Sequence, residues 1–306
     1  MKKEDHFQKT VAREVRCSGI GLHSGKKVQL KIKPAPVNHG IKFVRTDLPN
    51  QPAVSARFNK VVDTSLATVI GEDGFIVSTI EHLMAAFAGL GIDNALVETS
   101  AYELPMMDGS AAPFVRTIRK AGIQIQSAQR FFFIVTKPIV LEDKDRFVGV
   151  YPAPHFRVTC MIDFPHSPLI RTQTMDMVVT DDDFEREIAA ARTFCFLQEV
   201  EHMKRFGLAQ GGSLENAIVI DQDKVLNEGG LRFADEFVRH KFLDCIGDFS
   251  MIGLPILGHV VAKRSGHAFN NAFLEKFFLE KSSWHTRTID EADPDTAATP
   301  LKQLAN

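Results

Sequence analysis

Residues 239 to 248 read "RHKFLDCIGD". On a helix, His240, Asp244 and Asp248 recur at i, i+4 and i+8 and share one side, while Phe242, Leu243, Cys245 and Ile246 fill the positions between. Few sides of such a helix are left to face water. A fold that buries it must bring partners to its imidazole and carboxylates.

His240 and Asp244 on successive turns can grip one ion, the geometry used by paired histidines on zinc hydrolase helices. They can equally form a satisfied His–Asp hydrogen bond on a core-facing helix. A third ligand decides between the two, and His82 in "EHLMAAF" is the available candidate. Two neutral imidazoles and one carboxylate leave a zinc ion with net positive charge and a free position for water. Glu81, next to His82, is a possible general base, although adjacent side chains leave a helix about 100° apart. His267 is expected in a Gly-flanked loop, "KRSGHAFNN", as a proton donor or a solvated surface residue. Asp248, if close to it, would favour the imidazolium and orient the ring.

Strand and helix signals alternate along the chain. "KKVQLKIKPA" places Val28, Leu30 and Ile32 in strict alternation, the pattern of a half-buried strand. "STIEHLMAAFAGLGI" reads as a helix with Ser78 or Thr79 as its N-cap, followed by a strand at "NALVETS". "PMMDGSAAPFVRTIRKAG" reads as a turn and a second helix closed by Gly122. A polar interval at 124 to 130 is the best linker candidate. Strands are expected again at "RFFFIVTKPIVLED" and "DRFVGVYPAP", and a helix at "DDDFEREIAAARTF". Division of the chain is accordingly expected into 1–126, 127–284 and a flexible tail, 285–306. His82 precedes Gly89 as His240 precedes Gly247, each before an apolar strand-like run, a faint echo of two domains with one α+β layout.

Bulk properties narrow the function. At 306 residues the chain has the length of about two average domains. A net charge of −2 gives no electrostatic case for nucleic acid, so an anionic ligand must be held by local charges. The four cysteines are scattered without a CxxC pair, which argues against a disulfide framework or a cysteine zinc site. "MKKEDHFQKT" lacks the apolar run of a signal peptide, so a cytoplasmic location is expected. The longest apolar stretch, "FSMIGLPILGHVVA", is too short and too interrupted for a membrane span. The pieces "GIGLHSG" and "QGGS" lack the spacing of dinucleotide or P-loop motifs and read as turns.

Taken together, "GIGLHSGKKV", "STIEHLMAAFAGLGIDNALVE", "MMDGSAAPF", "ARTFCF", "GLRFADEFVRHKFLDCIGD" and "KRSGHAFNN" resemble the UDP-3-O-acyl-N-acetylglucosamine deacetylase family, zinc amidases of lipid A biosynthesis. The resemblance runs in the family's order over roughly residues 8 to 280. It implies an α+β fold of two similar domains, each a β-sheet layered against two helices, with the active site between them. It implies His82, His240 and Asp244 as ligands of zinc, with ferrous iron an alternative occupant, and Glu81 as the base. Thr193 would help hold the oxyanion, His267 would protonate the leaving amine with Asp248 as its charge partner, and Lys241 would reach the sugar-phosphate region. Phe194, Phe196, Leu197, Val200 and Phe206 fall in a segment that would line an acyl-chain passage. Ala67 stands where some relatives have a cysteine, which puts secondary metal binding there in doubt. The rival readings are a zinc amidase or peptidase of other specificity, a non-catalytic nucleotide-sugar binding protein, and a metal-free structural His–Asp cluster.

Overall fold

The computed structural model describes residues 3–289. Its first half is built on a five-stranded sheet in the order Val15–Ile20, Lys27–Pro34, Ala95–Thr99, Ile41–Arg45, Ala53–Ser55. Alternation along Lys27–Pro34 turns Val28, Leu30 and Ile32 inward and the lysines outward. The inner face packs under two helices, α1 (Glu81–Gly89) and α2 (Ala112–Ala121). α2 starts with Pro113 in its first turn, carries Arg119 and Lys120 in its last, and ends at Gly122, whose φ of 77° suits only glycine well. α1 has no side-chain cap. Ile80, not Ser78 or Thr79, holds the N-cap position; Ser78 instead pairs its backbone with Tyr102 and Leu104, and Thr79 lies at φ 60°.

The second half is built on a seven-stranded sheet whose main path runs Ile139–Asp143, Arg146–Tyr151, Ile256–Lys263, Phe131–Val135, Trp284–Thr288. Phe156–Phe164 joins Ile256–Lys263 in parallel and carries Arg171–Val178 beside it. Within the second half come α3 (Asp181–Asp183), which passes into a π-helical turn at Phe184–Ile188, and α4 (Leu197–Arg205). α3 is capped by Thr180, whose hydroxyl accepts from the Asp183 amide. The expected helix at this place is thus shorter than its sequence pattern suggests. Two longer helices, α5 (Glu236–Ser250) and α6 (His267–Leu279), cover the second sheet.

One apolar core joins the layers. It contains Leu30, Phe43 and Val97 from the first sheet, Val148, Val158 and Val260 from the second, and Leu83, Phe87, Phe242, Leu243 and Ile246 from the helices between. The two-domain α+β layout follows from this arrangement, with α1 of one half against α5 of the other.

Two boundaries differ from expectation. The polar interval near 124 to 130 is no linker: Ile123–Gln129 is a strand that pairs antiparallel with Phe7–Val11. Its amides are used, since Gln126 donates to the Ala35 carbonyl at 2.9 Å and accepts from Asn94 at 2.8 Å. The expected division between 126 and 127 therefore falls inside a strand. The expected tail from 285 is also corrected at its start, because Trp284–Thr288 pairs along the whole of Phe131–Val135, with Trp284 packed on Phe133 and Phe277. Residues 290–306 of that tail lie outside the described residues.

Candidate active site

α1 and α5 meet at a glycine. A Cβ on Gly247 would lie 2.2 Å from the Glu81 carbonyl oxygen, so only glycine lets the helices approach this closely. The contact brings the first turn of α1, with Glu81 and His82, against the middle of α5, with His240, Asp244 and Asp248, all of them buried.

Three donors converge there. Asp244 Oδ1 lies 3.5 Å from His240 Nε2 and 3.8 Å from His82 Nε2, and the two rings stand edge to face with centroids 5.1 Å apart. The ligand atoms of this trio all lie within 4.8 Å of one another. Asp244 Oδ2 accepts from Lys241 Nζ at 2.8 Å, but Oδ1 has no hydrogen-bond partner although it is buried. A buried carboxylate oxygen without a donor is costly unless a cation meets it. Burial drives His82 down to about 3, helped by the neighbouring His240, and also lowers His240. Both imidazoles are therefore neutral, as metal ligation requires. Burial opposes ionisation of Asp244, but the ammonium of Lys241 beside it outweighs that and holds the carboxyl well below its ordinary range. His240 is further oriented by the Ala191 carbonyl, 3.1 Å from Nδ1, which leaves Nε2 facing the trio. Two imidazole nitrogens and one carboxylate oxygen form a group able to hold a divalent metal.

A second cluster adjoins the first. Glu81 Oε2 accepts from the Thr68 amide at 3.0 Å. The Thr68 hydroxyl donates to Asp248 Oδ1 at 2.6 Å, and Asp248 Oδ2 accepts from Asn270 Nδ2 at 2.8 Å. His267 Nδ1 lies 2.9 Å from Asp248 Oδ2. Burial raises Glu81 to about 7 against the opposing pull of His267. Burial works against the imidazolium of His267, but the charge and hydrogen bonds of Asp248 prevail and raise it to about 9. Between those values Glu81 is an ionised base and His267 a protonated acid, the division of labour that general acid–base chemistry needs.

The Ala191–Phe196 segment borders this centre. Arg192 forks onto the fully buried Glu236, one helical turn before His240, with Nε to Oε1 at 2.8 Å and Nη2 to Oε2 at 3.1 Å. Its backbone amide also donates to Glu236 Oε1 at 3.0 Å. This clamp ties the Ala191 carbonyl to the helix that carries His240. Thr193 is fixed through its backbone, donating to Gly109 and accepting from Ile218. Beyond it opens an apolar cleft of about 800 Å³, lined by Thr193, Phe194, Leu197, Val200, Met203 and Leu66, among others.

Most residues singled out in the sequence come together: Glu81, His82, Lys241, Asp244, His240, Asp248 and His267 in the two clusters, and Thr193, Phe194, Leu197 and Val200 at the cleft. Lys241 is engaged by Asp244, its side chain still 30% exposed. Phe196 instead lines a neighbouring cleft of about 620 Å³ with Phe164, Asp221 and Arg264. Phe206 is 71% exposed and lines neither, its ring lying 4.9 Å from that of His202. His267 is not in a loop: after extended Gly266 it is the first residue of α6, whose buried Phe269, Phe273 and Phe277 hold the helix on the core. Sequence reasoning missed Thr68, Arg192, Glu236 and Asn270. Asn270 at i+3 from His267 and Glu236 at i−4 from His240 carried a helical signal, whereas Thr68 carried none. No helix among the described residues is long and apolar enough to cross a membrane.

Comparison with known proteins covers most of the chain. The family model for UDP-3-O-acyl N-acetylglycosamine deacetylase matches residues 8–279. A Myxococcus xanthus protein named UDP-3-O-acyl-N-acetylglucosamine deacetylase is 50% identical over 284 residues, covering 93% of this chain and 90% of the relative. Proteins of the same name from Anaeromyxobacter sp. (50% identity; 89% of each chain) and Syntrophus aciditrophicus (42%; 93% of this chain, 90% of the relative) are similar too. With the match running through all six helices and both polar clusters, the chain belongs to the UDP-3-O-acyl N-acetylglycosamine deacetylase family.

Proposed function

We propose that this chain hydrolyses the N-acetyl group of UDP-3-O-acyl-N-acetylglucosamine, releasing acetate and the free amine, an early step of lipid A biosynthesis carried out in the cytoplasm. The observation that carries the reading is the unpartnered Asp244 Oδ1 between two neutral imidazoles, set beside a base and an acid whose ionisation states are divided by burial and by Asp248. His82, His240 and Asp244 hold zinc in this proposal; ferrous iron suits the same donors. When bound, the metal supplies Lewis acidity, which lowers the pKa of water and polarises a carbonyl.

Glu81 takes the proton of the attacking water as the carbon–oxygen bond forms. Its Oε2 is occupied by the Thr68 amide, which leaves the other oxygen as acceptor. Thr193 steadies the oxyanion, its backbone held at both ends. His267 gives its proton to nitrogen as the carbon–nitrogen bond breaks, because an amine leaves far more easily than an amide anion. Lys241 meets the polar head of the substrate from its place on Asp244, and Phe194, Leu197 and Val200 receive the acyl chain in the apolar cleft. The division into two units is placed here after the strand that ends at Gln129, with the site between them.

The test is acetate release from UDP-3-O-acyl-N-acetylglucosamine before and after chelation and with zinc restored. Loss and recovery of activity are expected. A folded, metal-replete protein that releases no acetate across several acyl lengths would overturn the proposal.

A further inference from the structure

Among the residues of the two polar clusters, one lies on none of the helices α1, α5 and α6. Thr68 precedes the short strand Val69–Glu72 and is 3% exposed. Its backbone amide and its hydroxyl point to different groups: the amide to Glu81, thirteen residues along the chain, and the hydroxyl to Asp248, across the interface between the halves.

A carboxylate can rotate about its terminal bond, and an imidazole paired with it can follow. Asp248 is denied that freedom. Oδ1 is taken by the Thr68 hydroxyl at 2.6 Å from one side and Oδ2 by the Asn270 amide at 2.8 Å from the other, so the carboxylate plane is pinned and a single sector remains for His267 Nδ1–H. The hydroxyl oxygen also lies 3.3 Å from Nδ1, close enough to border that sector but longer than either Nδ1 contact to the carboxylate, at 2.9 and 3.1 Å. With Nδ1 committed, Nε2 is the nitrogen left to face a substrate. The same residue, through its amide, ties one oxygen of Glu81.

Resting on the catalytic roles proposed above for Glu81 and His267, we infer that Thr68 is a positioning residue that holds the base and the acid in one mutual geometry. It does so from the position just before a strand that carries neither group. Asp248 and His267 lie on α5 and α6, Glu81 on α1, and Thr68 is bonded to both sets. A mere space-filling threonine would need no hydroxyl directed at a carboxylate.

The experiment uses Thr68→Val, which keeps the shape and the amide but removes the hydroxyl, and Thr68→Ser, which restores it. Both are read by kcat, KM and metal content, and by the low-field proton resonance of His267 Nδ1–H, assigned from its absence in His267→Ala. In Thr68→Val, kcat should fall roughly tenfold to a hundredfold, the size of one hydrogen bond to a charged group. KM and metal content should hold, the resonance should move or broaden, and serine should recover both. If valine fails to fold, Thr68→Ala carries the same comparison. Unchanged kcat with an unmoved resonance overturns the inference, as does a loss of kcat that serine does not restore. Should the unsubstituted protein release no acetate, the deacetylase reading falls, and the resonance in the valine variant then decides the placement of the ring by itself.

Discussion

Gly247→Ala tests how closely the site depends on helix approach. The added Cβ would stand 2.2 Å from the Glu81 carbonyl oxygen and 2.9 Å from its carbon, whereas ordinary contact begins near 3.4 Å. Both atoms are backbone, so no rotamer change relieves the clash, and α1 and α5 must part by roughly 1 Å. Overpacking of this kind costs about 1–3 kcal/mol of stability. The larger effect should be on turnover, because the displaced segment carries Glu81 and His82 while the displacing helix carries His240 and Asp244. A misplacement of about 1 Å in a catalytic constellation costs on the order of a hundredfold in rate. The control is Gly89→Ala, whose Cβ would meet the Phe184 ring at 2.2 Å, outside the contact between α1 and α5. Acetate release, metal content and thermal denaturation should be measured on both. Alanine at 89 should lower stability with kcat largely kept, and alanine at 247 should lower kcat and metal affinity beyond any common loss of stability. Wild-type kcat and metal content in Gly247→Ala would refute the view that the helix contact sets the site.

Three further outcomes are expected. His240→Ala should lose metal and turnover together, whereas Glu81→Ala should keep the metal and lose about 10²–10⁴ in kcat, the usual scale of a general base; equal metal loss in both would make Glu81 a ligand or a structural group. Turnover should rise as Glu81 loses its proton near 7 and fall as His267 loses its own near 9, with a bound divalent cation drawing both limbs lower. Both groups hold protons more tightly folded than unfolded, so the stability they confer on the metal-free protein is present at low pH and is lost as pH rises through those values; a pH titration of chelated protein in which stability climbs over that window would contradict the assignment. Arg192→Met should leave the carboxylate of Glu236 buried without its fork and cost about 3–5 kcal/mol, read by denaturant unfolding, with weakened metal affinity through the Ala191 carbonyl on His240.

The spacing of polar residues on an apolar helix was enough to put His240, Asp244 and Asp248 on one side and to require partners for them once buried, since helical periodicity is a local property written in the chain order. Strand alternation at 26 to 35 and the closing glycine of α2 were legible for the same reason. The role of Thr193, and the choice among the readings open for Glu81 and His267, came instead from resemblance to a family, because a dipeptide or a lone histidine carries no geometry. The polar run before Arg130 misled as a linker, since its amides are satisfied by Asn94 and Ala35, far away in sequence.

What the tertiary structure decided is the meeting of groups that sequence separation hides. Thr68 lies 180 positions from Asp248 and 199 from His267, and no periodicity connects them. The proton affinities of Glu81 and His267 likewise depend on burial and on neighbours, which arise only when two sheets close over α1 and α5. Sequence by itself determined where most helices and strands are expected and which side chains could do chemistry; the packing of distant segments determined which of those side chains meet and how they are charged, because desolvation and hydrogen bonding act across space and not along the chain.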